Sequence, residues 1–139
     1  LAFVSSDADD ARAAAASLAK RYGQCRVEEA DIVVALGGDG FMLHTLRETM
    51  DTGKPIYGMN RGTIGFLMNE FREGDLNERI EAAQPETIRP LEMEATTAGG
   101  KTQVALAINE VALFRQTYQV AKLRILIDEH ERMASCRIQ

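Results

Sequence analysis

The sequence contains no tryptophan, three prolines and only two cysteines in 139 residues. Cys25 and Cys136 are too few for a disulfide framework, and they lack the close spacing of a cysteine metal site. We therefore expect free thiols in a reducing cytoplasm. Hydrophobic residues make up 45% of the chain, which is enough for a chain of this length to bury a core as one domain or one and a half.

Positive charge is also scarce. The sequence has 16 Lys and Arg against 21 Asp and Glu, for a net charge of −5, and no basic cluster occurs. Proteins that bind nucleic acids or anionic membrane surfaces normally carry a positive patch, so we expect neither partner. No apolar run approaches the roughly 20 residues needed to cross a bilayer, and we expect no signal peptide. These absences favour a cytoplasmic protein.

The first half of the sequence alternates apolar runs with helical periodicity. The expected strands lie at residues 2–4, 31–36 and 55–59. The first helix should be capped by Ser6 or Asp7 and should stop at Gly23. Another helix is expected at about 75–83. Strand–helix alternation of this length predicts a Rossmann-like parallel α/β domain over residues 1–88.

From residue 89 onward the pattern changes to alternation of apolar and polar residues, with turn residues between the alternating stretches. The expected strands lie at residues 91–95, 104–108, 123–127 and 133–138. This pattern predicts that residues 89–139 form the first strands of an antiparallel β-sandwich domain. We expect that domain to be incomplete, because nothing in the sequence closes the sheet after the last strand.

A glycine-rich turn, Gly37-Gly38-Asp39-Gly40, follows the second expected strand. Open α/β sheets bind ligands at the carboxyl ends of their strands, and such turns cradle phosphate with backbone N–H groups. Gly37, Gly38 and Gly40 are therefore phosphate-loop candidates. Asp39 has two possible roles, catalysis or capping of the following helix. The turn lacks the Lys-Ser/Thr of a P-loop and the third glycine of a dehydrogenase fingerprint.

A second glycine-containing loop, residues 60–66 (Asn-Arg-Gly-Thr-Ile-Gly-Phe), follows the next expected strand. The two loops should meet at one edge of the sheet with Asp39 between them, which favours a nucleotide cleft. Arg61 is a candidate for contact with phosphate, and its alternative role is a solvated surface cation. Phe66 is a candidate for contact with the nucleotide, and packing is the commoner role of such an aromatic side chain.

The two loops, together with the stretch Ala107-Ile108-Asn109-Glu110-Val111, resemble the NAD kinase family in order over nearly the whole chain. Gly-Gly-Asp-Gly alone is shared with related sugar and lipid kinases, but its combination with Asn-Arg-Gly-x-x-Gly-Phe-Leu and Ile-Asn-Glu-Val is specific. The resemblance implies a kinase that phosphorylates the 2′-hydroxyl of the adenosine ribose of NAD to make NADP. It also implies ATP or polyphosphate as the donor and a divalent metal cation, Mg²⁺, as the cofactor.

The resemblance implies that Asp39 is the proton acceptor and that Asp39, Gly40, Asn109 and Glu110 contact NAD. It further implies a contact with the phosphates of the ligand near His44. Because helical side chains lean toward the helix N-terminus, His44 could overhang the turn. An exposed helical histidine is the alternative.

A second Asn-Glu pair, Asn69-Glu70, follows the second loop. The pair of the family follows an apolar strand in the second region and precedes a valine. We therefore assign the binding role to Asn109-Glu110 and interpret Asn69-Glu70 as a surface feature.

Motifs that the family carries further along, a second Gly-Asp-Gly strand and a Thr-Pro-x-Gly-Ser-Thr-Ala-Tyr-like segment, do not occur in this sequence. The activity of this chain by itself is therefore doubtful. Two alternatives stay open, a non-catalytic dinucleotide-binding fragment and a related sugar or lipid kinase that shares Asp39 without needing Asn109-Glu110. The expected partners are NAD, ATP or polyphosphate, and further copies of the chain in a dimer or tetramer.

Overall fold

A computed structural model describes residues 1–62 and 66–138, with side chains described up to residue 133. In chain order, the helices and strands are β1 (Ala2–Ser5), α1 (Asp9–Tyr22), β2 (Val33–Gly37), α2 (Asp39–Thr49), β3 (Ile56–Asn60), β4 (Asn69–Glu70), α3 (Leu76–Glu81), β5 (Leu91–Thr96), β6 (Thr102–Ala107), β7 (Ala121–Ile127) and β8 (His130–Ile138). Short 3-10 turns lie at Val27–Glu29 and Met50–Thr52.

The first four strands form one parallel sheet in the order β1-β2-β3-β4. All five residues of β2 are buried, as expected of a strand that is covered on both faces. This sheet, its helices and the antiparallel strand pairs that follow confirm the predicted fold class. Because β2 and β3 are neighbours and run in the same direction, the loops that follow them leave the same edge of the sheet.

Successive side chains of a strand point to opposite faces of its sheet, so alternate residues share a face. One face of the sheet packs against α1 and α3 in a single core cluster. Its buried members are Phe3, Ala14, Leu18, Val34, Leu36, Tyr57, Met59 and Leu76.

Helix α1 ends where the sequence predicts, at Gly23, which has a φ of 84° and donates its N–H to the Ala19 carbonyl at 3.0 Å. The predicted start is wrong. The N-cap residue is Ala8, without a side-chain capping bond. Ser6 lies before this position, and its N–H bonds to the Leu36 carbonyl at 2.9 Å, which continues the sheet pairing past the end of β1.

The later strands form two antiparallel pairs, β5 with β6 and β7 with β8, as predicted. Contacts divide the chain into two compact units, Leu1–Asn109 and Glu110–Gln139. The first unit holds the parallel sheet and the β5–β6 pair, and the second holds the β7–β8 pair. This division does not test the domain boundary expected at residues 88/89, which stays a prediction.

Two expectations from composition can be compared with the described residues. Cys25 is a free thiol, and its Sγ lies 3.1 Å from the Leu1 carbonyl oxygen, whereas the side chain of Cys136 lies outside the described part of the chain. None of the helices in the described residues has the length and apolar character that a membrane crossing requires.

Gly58, in the middle of β3, permits a close approach of other segments to the strand. An added Cβ would lie 2.6 Å from the Met68 Sδ, 3.3 Å from the Met42 Sδ and 3.3 Å from the Leu67 carbonyl oxygen. Tyr57 and Gly58 point to opposite faces of the sheet, and Tyr57 faces the core against α1. Because Met42 of α2 lies beside Gly58, α2 covers the other face at this point.

We expect Gly58→Ala to lower the free energy of unfolding by about 1–3 kcal/mol, because the methyl group overpacks the contacts of β3 with Met68, Leu67 and Met42. Urea denaturation measures this change. Gly74→Ala is the matched control, since a Cβ at Gly74 meets no atom within 4 Å. Equal, small changes in both variants would contradict the close approach.

Candidate functional site

The glycine turn joins β2 to α2 with almost no intervening chain. Gly38 is the N-cap of α2 in extended conformation, and Asp39 is the first helical residue. A Cβ on Gly37 would lie 2.9 Å from the Phe41 Cβ, whereas a Cβ on Gly38 or Gly40 would meet nothing within 4 Å. The protein itself therefore requires glycine only at Gly37. At the other two glycines the backbone faces open space, next to the first helical N–H groups, which have no partner within the helix.

The Asp39 carboxylate does not cap α2, so the capping alternative is wrong. The N-cap position belongs to Gly38, and Asp39 is already inside the helix. Instead, the Asp39 Oδ2 accepts the backbone N–H of Phe66 at 2.8 Å and the Oδ1 accepts that of Leu67 at 3.1 Å. These bonds join the start of α2 to the far end of the second loop.

The near end of the second loop is held by Arg61. Its backbone N–H donates to the Gly37 carbonyl at 2.7 Å, and its guanidinium stacks over the Phe71 ring at 4.3 Å from the ring centre. Its Nη2 lies 3.5 Å from the Asp10 Oδ2. The two loops therefore meet, as the sequence predicts, and the solvated role offered for Arg61 is wrong. Thr63, Ile64 and Gly65, which complete the loop motif, lie outside the described residues.

Two further candidates present their side chains to solvent. His44 is exposed on α2, with its ring 6.2 Å from the Phe41 ring. The side chain of Phe66 is fully exposed, so its packing alternative is wrong. The backbone of Phe66, rather than its ring, makes the contact with Asp39.

Asn109 and Glu110 lie after the end of β6, separated from it by Ile108, and both are exposed. Asn109 has a φ of 80°, a left-handed conformation that asparagine tolerates better than most residues. Asn109 ends the first compact unit and Glu110 begins the second. Their shared role in binding stays a prediction.

The other Asn-Glu pair is at the surface, as interpreted, but it also has a structural role that the sequence did not indicate. Asn69 and Glu70 form β4, which pairs with the end of β3. The Asn69 Nδ2 donates to the Gly58 carbonyl at 3.1 Å, and the Glu70 carboxylate accepts a bond from Arg72 at 2.6 Å. A strand of two residues is too short to show a periodicity.

Sequence reasoning also missed Gly58 and Phe71. Glycine inside a strand often marks a close backbone approach, and this signal could have identified Gly58. Phe71 gives no comparable signal, because its stacking on Arg61 depends on the path of the chain between β4 and α3.

The described residues contain no group of three or more His, Cys, Asp or Glu side chains that could hold a metal ion. A metal bound entirely by side chains does not fit this part of the chain. A Mg²⁺ ion that is held mainly by substrate phosphates and water, with one carboxylate, would still fit beside Asp39.

Comparison with known proteins agrees with this arrangement. The model of the ATP-NAD kinase N-terminal domain matches residues 6–85, which include the glycine turn and the second loop. Curated proteins named NAD kinase align over 133 residues, 96% of this chain. The one from Mesorhizobium japonicum is 68% identical with 52% of its own length covered, that from Brucella suis is 59% identical with 52% covered, and that from Caulobacter vibrioides is 56% identical with 51% covered. The chain thus spans about half the length of these relatives. From the matched domain and these identities, the chain belongs to the NAD kinase family.

Proposed function

We propose that this chain carries the glycine-turn half of an enzyme that transfers a phosphoryl group from ATP to the 2′-hydroxyl of the adenosine ribose of NAD, which yields NADP. One observation carries the proposal. A carboxylate, Asp39, stands at the carboxyl end of a central parallel strand, in the glycine turn of an NAD kinase family chain, held by two backbone amides. Polyphosphate is a second possible donor.

Asp39 acts in this proposal as the proton acceptor. Each carboxylate oxygen has two lone-pair sites, and each uses one for a loop amide. One site per oxygen is left for the ribose hydroxyl. Asp39 accepts the hydroxyl proton while the hydroxyl oxygen forms its bond to the γ-phosphorus and the bond to the ADP oxygen breaks. The two amides fix the carboxylate before the substrate arrives, which favours catalysis by positioning.

The amides also explain how a carboxylate can stand in a phosphate-binding turn. Backbone N–H donors offset part of its negative charge, and the N-terminus of α2 attracts anions. The open space at Gly38 and Gly40 lets donor phosphates approach these N–H groups. Mg²⁺, when bound, would neutralise charge on those phosphates, and Asp39 is the carboxylate of the turn that could contact it.

The remaining assignments belong to the same proposal. Gly40, His44, Phe66, Asn109 and Glu110 contact NAD, and their exposure leaves all five accessible. The enzyme works as a homo-oligomer, a dimer or tetramer, in the cytoplasm, where NAD and ATP are available.

In the full-length protein, Asp39→Asn should lower kcat for NADP formation by about 10²–10⁴-fold, because the amide cannot take a proton. The affinity for NAD should change little. Stability should fall by only about 1 kcal/mol, since asparagine can still accept one of the two loop bonds. Steady-state assays with calorimetric binding measure these effects, with Asp51→Asn at an exposed position as the control. Near-normal turnover in Asp39→Asn would remove Asp39 from the chemistry.

Gly40→Ala should separate binding from folding. The methyl group meets no protein atom and alanine is favoured in a helix by about 1 kcal/mol, so the melting temperature should hold or rise. A methyl group in the path of the phosphates should raise the KM for ATP by about tenfold, as overpacking typically costs about 1–3 kcal/mol. Gly74→Ala is the control. An unchanged KM would show that no phosphate approaches Gly40.

Asn109→Gly and Glu110→Gln should each weaken NAD binding by about 1–3 kcal/mol, the usual effect of losing a buried hydrogen bond. Glycine is chosen at Asn109 because it keeps the left-handed backbone without strain. Isothermal titration measures the change, and Glu78→Gln on the exposed side of α3 is the control. Unchanged affinity in both variants would show that Asn109 and Glu110 do not bind NAD.

A further inference from the structure

The second loop (residues 60–67) is attached to the glycine turn at both of its ends. At the far end, the Phe66 and Leu67 amides bind the Asp39 carboxylate. At the near end, the Arg61 N–H binds the Gly37 carbonyl, the last residue of β2, at 2.7 Å. Arg61 also contacts Phe71, which follows Leu67 and β4 in the chain, so its side chain joins the glycine turn to the segment that carries both amides.

The Arg61 side chain adds to this attachment. Its guanidinium stacks 4.3 Å from the centre of the Phe71 ring, and its Nη2 reaches the Asp10 carboxylate at 3.5 Å. The side chain is only 28% exposed. Its Nε is buried and has no hydrogen-bond partner among the described residues. Stacking and shape, more than a full set of hydrogen bonds, therefore fix the guanidinium.

We propose that Arg61 is a positioning residue for Asp39. It clamps the near end of the second loop between α1, through Asp10, and the segment after β4, through Phe71. This clamp keeps the two loop amides on the Asp39 carboxylate and leaves its remaining lone pairs aimed at the acceptor hydroxyl. The inference rests on the proposed role of Asp39 as proton acceptor.

Arginine suits this role better than lysine would. Its planar guanidinium can stack on an aromatic face and pair with a carboxylate at the same time, whereas an ammonium is a point charge with a strong hydration shell. Because Asp10 and Phe71 hold the guanidinium in place, we assign Arg61 a role through the loop rather than as a phosphate ligand. A phosphate ligand would affect the KM for ATP, and a positioning residue would affect kcat.

The test uses the full-length protein and Arg61→Met, which keeps the apolar stem but removes the charge and the planar group. Amide exchange at Phe66 and Leu67 should accelerate about tenfold, with the amides of β2 unchanged, because local opening becomes easier. In the presence of NAD and ATP, kcat should fall about tenfold, as expected when a catalytic group is slightly misplaced. Both KM values should stay within about twofold.

Three variants accompany this test. Arg61→Lys should keep part of the kcat that Arg61→Met loses, because its ammonium can still pair with Asp10. Phe71→Leu should lower kcat as Arg61→Met does, because it removes the ring on which the guanidinium stacks. Arg72→Met is the matched control, because Arg72 is exposed and its paired carboxylate is Glu70. It should change neither exchange nor kcat.

Unchanged exchange at Phe66 and Leu67 in Arg61→Met would overturn the proposal. So would accelerated exchange throughout β2 and β3, which would indicate general destabilisation, or a raised KM for ATP at unchanged kcat, which would make Arg61 a phosphate ligand. The exchange measurement needs no substrate. If the unmodified protein formed no NADP, the proposed function would fail, and the exchange result would still decide whether Arg61 positions the loop.

Discussion

The candidate site depends on one interaction, the pair of hydrogen bonds from the backbone amides of Phe66 and Leu67 to the Asp39 carboxylate. A carboxylate at the beginning of a helix would ordinarily be free to turn toward solvent or to cap the helix. Two amides from a distant loop, one on each oxygen, fix both its position and its plane. The loop in turn is fixed by the carboxylate, so neither loop has its present geometry without the other.

The sheet makes this interaction possible. Parallel pairing of β2 with β3 places the ends of both strands side by side, and the pairing runs through Gly37 and Asn60 at their carboxyl ends. Gly58 then lets α2 and the chain before β4 approach β3 closely. A larger residue at this position would meet Met68 and the Leu67 carbonyl, next to the amides that bind Asp39, and Met42 of α2. The position proposed for Asp39 thus depends on Gly58 having no side chain.

Much of this architecture could be predicted from the sequence, because it follows from periodicity and from glycine placement. The alternation of buried runs and helical stripes predicts the parallel sheet, and period-two alternation predicts the hairpins. The meeting of the two loops follows from the order of the strands. What could not be predicted are contacts set by the three-dimensional path of the chain. The bond partners of Asp39 lie 27 and 28 residues away, and the stacking of Arg61 on Phe71 carries no pattern. The predicted start of α1 is wrong because the N-cap is Ala8, a residue type that carries no capping signal.

The three glycines of the turn are present for two different reasons, and this difference gives the turn a particular mechanical character. Gly37 is required by its closeness to Phe41, while Gly38 and Gly40 leave main chain bare toward open space. This surface consists of backbone atoms at the junction of a buried strand and a helix. It has no side-chain rotamers that would have to reorder when a ligand binds. An incoming group meets donors whose directions are already set, so its binding there orders no side chain and loses no side-chain entropy. In the proposed function, the turn therefore receives the phosphates without changing its own shape.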